Sequence, residues 1–190
     1  GVLWAVYRNS DGAWNRPLCI LRSENYGDTW TLVAVPYNGL YLYQYNSIRA
    51  HGNNVFVAAA IGAGGTAVAF CSPDAGSTWD YVVQEYNTTE PICHNPLTPS
   101  VAYTATWHNR PMRKITALAE SEDLQLNIGP SRWDSMWFDP SDASHQRVVA
   151  GGELHTTTDD WATYSSHGSL SLEGQGLARL EGSDPDKIVL

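Results

Sequence analysis

Basic side chains are scarce: 11 Lys and Arg stand against 20 Asp and Glu, for a formal charge of −9. A nucleic-acid groove or an anionic membrane surface would each need a basic stripe, so neither is expected as a partner. No apolar run approaches the ~20 residues of a membrane-spanning helix, so no membrane insertion is expected either. Cysteine is limited to Cys19, Cys71 and Cys93, an odd number without Cys-x-x-Cys spacing, which argues against a zinc ribbon or a closed disulfide framework. Buried thiols are the expected state, and a Cys71–Cys93 bridge stays open because sequence cannot set the distance between the two. Sustained helical periodicity is also missing. The 10 Tyr, 8 Trp and 3 Phe, with abundant Val, Thr and Gly, therefore favour an all-β chain, and 190 residues suffice for one domain with a sizeable core.

What is present is a recurring punctuation. Cys71-Ser72-Pro73-Asp74-Ala75-Gly76-Ser77-Thr78-Trp79-Asp80 reads as a strand end, a tight turn, and a second strand opened by an aromatic. The Asp74 carboxylate can accept from backbone N–H groups just ahead of it. Gly76 supplies a positive φ, and Trp79 brings a flat apolar body to bury as the chain re-enters the fold. The pattern, Ser/Thr-x-Asp-x-Gly-x-Thr-Trp, repeats. Ser23 to Trp30 fits with Asn25 in the Asp place and Gly27 in the Gly place. Thr157 to Tyr164 keeps the hydroxyl, Asp159 and the aromatic Tyr164, but puts Trp161 where glycine is expected. Ser121-Glu122-Asp123 begins a degraded copy. The leading positions 23, 72, 121 and 157 lie 49, 49 and 36 residues apart, a period that suits four short strands per repeat.

These boxes resemble those of the Asp-box, or bacterial neuraminidase repeat, β-propellers, a group that includes sialidases, xyloglucan-active glycoside hydrolases, sortilin-type receptors and phage virion proteins. The resemblance implies blades of four antiparallel strands, with each box at the turn between the third and fourth strands, on the rim away from the usual active-site face. It also implies that Ser23, Asn25, Gly27, Trp30, Ser72, Asp74, Gly76, Trp79, Thr157, Asp159 and Tyr164 are folding residues. Taken in order, the strands give a single domain over 1–190 with blades at about 1–35, 46–85, 92–130 and 134–166, and the start of another at 177–190. Gly1 reads as the second strand of one blade and Leu190 as the second strand of another. Such an arc leaves open edges, so we expect a fragment of a larger propeller, or partners in the form of other copies or other segments of the same assembly; a small closed ring is the third option. The chain opens at Gly1 without a charged-then-apolar leader, as a processed chain or a piece of a longer one would.

Sites of chemistry are harder to find. Tyr37, Tyr41, Tyr43 and Tyr45 share one parity and would share a strand face. Such a face serves as a sugar-stacking ledge or, more often, as a contact between blades or subunits. Gly62-Ala63-Gly64-Gly65 lacks the Lys-Ser/Thr and helix of a phosphate loop, so no nucleotide and no other cofactor is expected. Cys93 to Pro99 offers loose metal donors, but Pro96 and Pro99 make it a loop, His94 reads as a solvent-exposed loop residue, and no metal is expected. Asn87-Thr88-Thr89 is the one glycosylation sequon. Sialidase chemistry needs three clustered arginines and a Tyr/Glu pair. None of Arg8, Arg16, Arg22, Arg49, Arg110, Arg113, Arg132, Arg147 and Arg179 sits in such a motif, and Arg110-Pro111 lacks the isoleucine of the sialidase signature. A glycosidase needs two facing carboxylates, and nothing in the spacing of Asp11, Glu90, Glu120, Asp123 and Asp134 selects a pair. No catalytic residue is expected. The favoured reading is a non-catalytic structural, receptor- or glycan-recognising module, extracellular or on a virion such as a phage tail. The alternative is a fragment of a sialidase-like or xyloglucan-active glycoside hydrolase.

Overall fold

Short runs rich in Val, Ala, Tyr and Thr between turn residues fold as strands because their side chains suit a pleated, packed surface. The computed structural model describes residues 1–8, 18–33, 42–61, 66–86, 92–104, 112–124, 133–150 and 153–169. Among them are fifteen strands: β1 (Leu3–Arg8), β2 (Leu18–Ser23), β3 (Thr31–Val33), β4 (Leu42–His51), β5 (Asn54–Ile61), β6 (Thr66–Ser72), β7 (Asp80–Tyr86), β8 (Cys93–His94), β9 (Val101–Thr104), β10 (Arg113–Thr116), β11 (Ser121–Asp123), β12 (Trp133–Phe138), β13 (Gln146–Ala150), β14 (Glu153–Thr157) and β15 (Ser165–Ser169). They form four antiparallel meanders in chain order: β1-β2-β3, β4-β5-β6-β7, β8-β9-β10-β11 and β12-β13-β14-β15.

Consecutive sheets stack face to face, and the alternation of side chains explains how. In the second sheet, Val57, Ala59, Val68 and Phe70 pack with Ile20, Trp4, Val6 and Val33 of the first. Their neighbours Phe56, Ala58, Ala69 and Cys71 pack with Ile92, Ala102 and Ile115 of the third. Tyr103 and Met112 of the third then meet Val148, Ala150 and Trp161 of the fourth. A strand buried on both faces needs a continuous apolar run, which is what Val55–Ala59 and Ala67–Cys71 supply, all at 0–1% exposure. Each fully buried Val or Phe contributes about 1.5–3 kcal/mol, so this sheet is where the stack is held most firmly.

Two sequence expectations need correction. Cys93-His94 is not loop but β8, paired with Ala102 and Tyr103 of β9; the prolines follow it, so they leave its ladder intact. Ser121-Glu122-Asp123 is not the start of a box turn but the outer strand β11, paired with Arg113–Ile115. The third sheet makes its corresponding turn earlier, over Thr116–Glu120. There the Ala119 N–H donates to Thr116 O at 3.0 Å, the Thr116 N–H to Glu120 O at 2.9 Å, and Ala119 takes φ +59°.

Candidate functional site

The three hydroxyl-led turns share one hydrogen-bond plan. In the second sheet the buried Ser72 Oγ accepts from the Gly76 N–H at 2.8 Å and donates to Asp74 Oδ1 at 2.9 Å. Asp74 then accepts from the Thr78 N–H at 2.8 Å and the Thr78 hydroxyl at 2.6 Å. In the first sheet Ser23 Oγ accepts from the Gly27 N–H at 2.9 Å, and Asn25 Oδ1 from the Thr29 N–H at 2.9 Å. In the fourth, Thr157 Oγ1 accepts from the Trp161 N–H at 3.0 Å, and Asp159 takes the Thr163 N–H at 2.9 Å and its hydroxyl at 2.6 Å. Donation from Thr78 and Thr163 holds the Asp74 and Asp159 carboxyls below their ordinary value. All three turns join the third to the fourth strand of a meander, or β2 to β3 in the first sheet. The closing aromatics differ: Trp79 is partly buried and donates to Gly76 O at 3.0 Å, whereas Trp30 and Tyr164 are about two-fifths exposed, at 42% and 41%.

The turns also couple each sheet to the one before it. A Cβ on Gly76, at φ +84°, would come within 2.9 Å of Val33 Cγ1 and 3.0 Å of the Trp4 ring. The glycine is a seat for the preceding sheet's indole. In the fourth sheet Trp161 occupies that turn position itself, at φ +70° and 1% exposure, among Tyr103, Met112 and Leu124 of the third sheet. Its indole N–H donates to Gln146 Oε1 at 2.6 Å. Beside it, Asp160 accepts from the Tyr103 hydroxyl and from Lys114, while Gln146 Nε2 donates to Asp160 Oδ1 at 2.8 Å. Burial, then the hydrogen bond to Asp160, pushes the Tyr103 hydroxyl well above its usual pKa. Sequence reasoning missed this polar staple, because Tyr103 and Asp160 carry no local signal of each other.

The other candidate groups are dispersed. Tyr37 and Tyr41 lie outside the described residues. Tyr43 and Tyr45 lie in β4, whose pairing with β5 shifts register between Leu42 and Gln44 and again between Tyr45 and Ser47. Among the arginines, Arg22 pairs with Glu24 at 2.8 Å, Arg113 with Asp123, and Arg147 lies 5.1 Å over the Trp137 ring, on three different sheets. Asp139 and Asp142 accept from Ser141 and Ser144 in their own loop. His94 is half-buried rather than solvent-exposed: its ring lies against Phe56 and His51, Nε2 meets Pro99 O at 2.8 Å, and burial lowers its pKa. Cys71 and Cys93 are unbridged. Cys71 sits between the second and third sheets and Cys93 between the third and fourth, so a layer of sheet separates them. Burial pushes their thiols up to about 12 and about 11. Among the described residues, no three His, Cys, Asp or Glu side chains gather as a metal would need.

The larger described cleft, about 550 Å³, opens between the turn of the first sheet and the turn of the second. Arg22, Glu24, Thr29 and Thr31 line it from the first sheet, and Ala75 and Ser77 from the second. A smaller one of about 290 Å³ on the fourth sheet is bounded by His145, Arg147, Leu154 and His167.

This set of stacked antiparallel meanders, three of four strands and one of three among the described residues, is an all-β architecture of β-propeller blades. A crystal structure of an ancestral GH74 enzyme, a propeller protein, matches it with a TM-score of 0.54 at 12% identity, over 84% of this chain. The chain spans 23% of that enzyme's length. No family model matches the sequence. No curated protein matches it either.

Proposed function

We propose that the chain is a non-catalytic Asp-box propeller module, a rigid support that presents loops to a receptor or glycan on a virion or another extracellular surface. The observation that carries this reading is what six of the described carboxylates already do. Asp74, Asp159, Asp139 and Asp142 hold turns, Asp123 pairs with Arg113, and Asp160 ties two sheets together. A glycosidase pair would instead face each other across a cleft. Other sheets of the same kind, from the same assembly, are the proposed partners. Val2, Leu3, Tyr26 and Trp30 leave an exposed apolar surface on the first sheet, of the sort that marks an interaction site.

The likeness to the GH74 enzyme favours a second reading, in which the chain is one part of a carbohydrate-active propeller. A glycan array run beside a fluorogenic-glycoside screen separates the two. Binding without turnover supports the module; release of fluorophore from any glycoside overturns it in favour of the hydrolase.

A further inference from the structure

We propose that the chain pairs head to tail with a second copy of itself, the turn of one copy's first sheet entering the smaller cleft on the other copy's fourth sheet. The inference rests on the reading above that sheets of the same assembly are the partners.

The stacking within the chain shows what such a contact uses. Three residues after each leading hydroxyl, Tyr26, Ala75 and Asp160 take one left-handed conformation, at φ +59°, +56° and +56°. From that position Asp160 reaches back to Tyr103 and Lys114 of the third sheet. One residue further on, Gly76 seats Trp4 of the first sheet, and Trp161 is buried against the third. In the first sheet the same reach ends in solvent. Tyr26 is 79% exposed, and a Cβ at Gly27 would meet only Leu3 and Trp30 of its own sheet. A bulky aromatic at positive φ strains the backbone, and within one copy burial of the ring offsets almost none of that cost. Val2, Leu3, Trp30 and Leu32 around it are exposed as well.

Strand register locates the other half of the contact. One residue before each leading hydroxyl stands a cross-strand pair that faces the following sheet: Trp4 with Arg22, then Phe56 with Cys71. In the fourth sheet that pair is Arg147 with Thr156, on the face opposite Val148, which meets the third sheet. With His145, Leu154 and His167 the pair borders the cleft of about 290 Å³. The cleft therefore lies where the turn of a following sheet would sit. Its chemistry suits a neutral phenol better than a carboxylate. Arg147 forms no ion pair among the described residues, but His145 already faces Asp139 at 3.4 Å. A tyrosyl hydroxyl both donates and accepts, and its ring can lie on Leu154 or against the guanidinium. Two copies joined at both ends would carry eight sheets, within the roughly four to eight blades of a closed propeller, so the expected product is a closed dimer.

Sedimentation velocity of the 190-residue chain tests this. A species of twice the 20.9 kDa chain mass is expected, with a Kd on the order of 1 µM. Tyr26→Gly removes the ring and relieves the backbone, so it should leave a monomer at about 100 µM whose thermal midpoint equals or exceeds the parent's. Thr156→Trp fills the cleft and should also leave a monomer; Arg147→Ala takes its place should that variant misfold. Mixed, the Tyr26→Gly and Thr156→Trp proteins should form a heterodimer about a hundredfold weaker than the parent dimer, because one intact turn then meets one intact cleft. A parent chain that stays monomeric, a dimer that survives either folded variant, or a mixture that associates no better than its components would overturn the interface. Turnover of a glycoside bears on the non-catalytic reading alone, so the two failures are told apart.

Discussion

Trp161→Gly restores the residue that the repeat pattern expects, and it should destabilise the protein. The indole is 1% exposed among Tyr103, Met112, Leu124, Val148 and Ala150. Truncating a buried aromatic of this kind costs about 3–5 kcal/mol. Gln146 Oε1 loses its 2.6 Å donor in a buried place, which adds about 1 kcal/mol. Glycine relieves the φ of +70°, which returns about 1 kcal/mol. The net loss is about 3–5 kcal/mol. With a urea slope of about 2–3 kcal/mol/M, the midpoint followed by far-ultraviolet circular dichroism should fall by roughly 1–2.5 M. Trp161→Ala makes nearly the same cavity without the backbone relief, and should lie below Trp161→Gly by about 1 kcal/mol. A Trp161→Gly protein as stable as the parent would refute the reasoning, because the turn would then be governed by φ alone and not by its contact with the third sheet.

Ser72→Ala should cost about 1–3 kcal/mol, since it orphans the buried Gly76 N–H now bonded at 2.8 Å, and should speed that amide's hydrogen exchange. Cys71 and Cys93, with thiols raised to about 12 and about 11, should resist an aromatic disulfide reagent at pH 8 in the folded chain and react once urea unfolds it. Acid should destabilise the fold in two stages, read from thermal midpoints against pH. His94 and His155 have folded pKa values below the unfolded value near 6.5, so the stability they confer is full above that pH and is lost as pH falls through their folded values. Asp74, Asp139, Asp142 and Asp159 are likewise depressed. Their contribution is full above about pH 4 and fails below it, and a midpoint that rises on acidification would contradict both stages.

The second sheet was the most legible in the sequence, because burial on both faces writes an uninterrupted apolar run and a glycine marks its turn. The first and fourth turns were legible through their hydroxyl and Asn or Asp positions, Ser23, Asn25, Thr157 and Asp159. What stayed hidden was short or non-local. β8 is two residues long beside two prolines, and the Thr116–Glu120 turn reaches its positive φ at Ala119, with no glycine to announce it. The cleft between the first two turns was invisible for a further reason: its two walls are separated by about fifty residues in the chain.

The paired glycines Gly27 and Gly76 can show whether such a turn is really a seat for the sheet before it. Both sit at positive φ, +98° and +84°, so an alanine at either should cost about 1 kcal/mol from backbone strain alone. Their surroundings differ. A Cβ at Gly27 would meet Leu3 and Trp30 of its own sheet at 3.6 and 3.7 Å, which is ordinary contact. At Gly76 it would press on Val33 at 2.9 Å and Trp4 at 3.0 Å, in the preceding sheet. Overpacking of that kind adds about 1–3 kcal/mol. Gly76→Ala should therefore lower the urea midpoint clearly more than Gly27→Ala, and Trp4→Ala, by emptying the seat, should shrink the gap between them. Equal costs in the two glycine variants would mean that Trp4 does not press on the turn, and that the sheets are held together by their β5 and β6 faces alone.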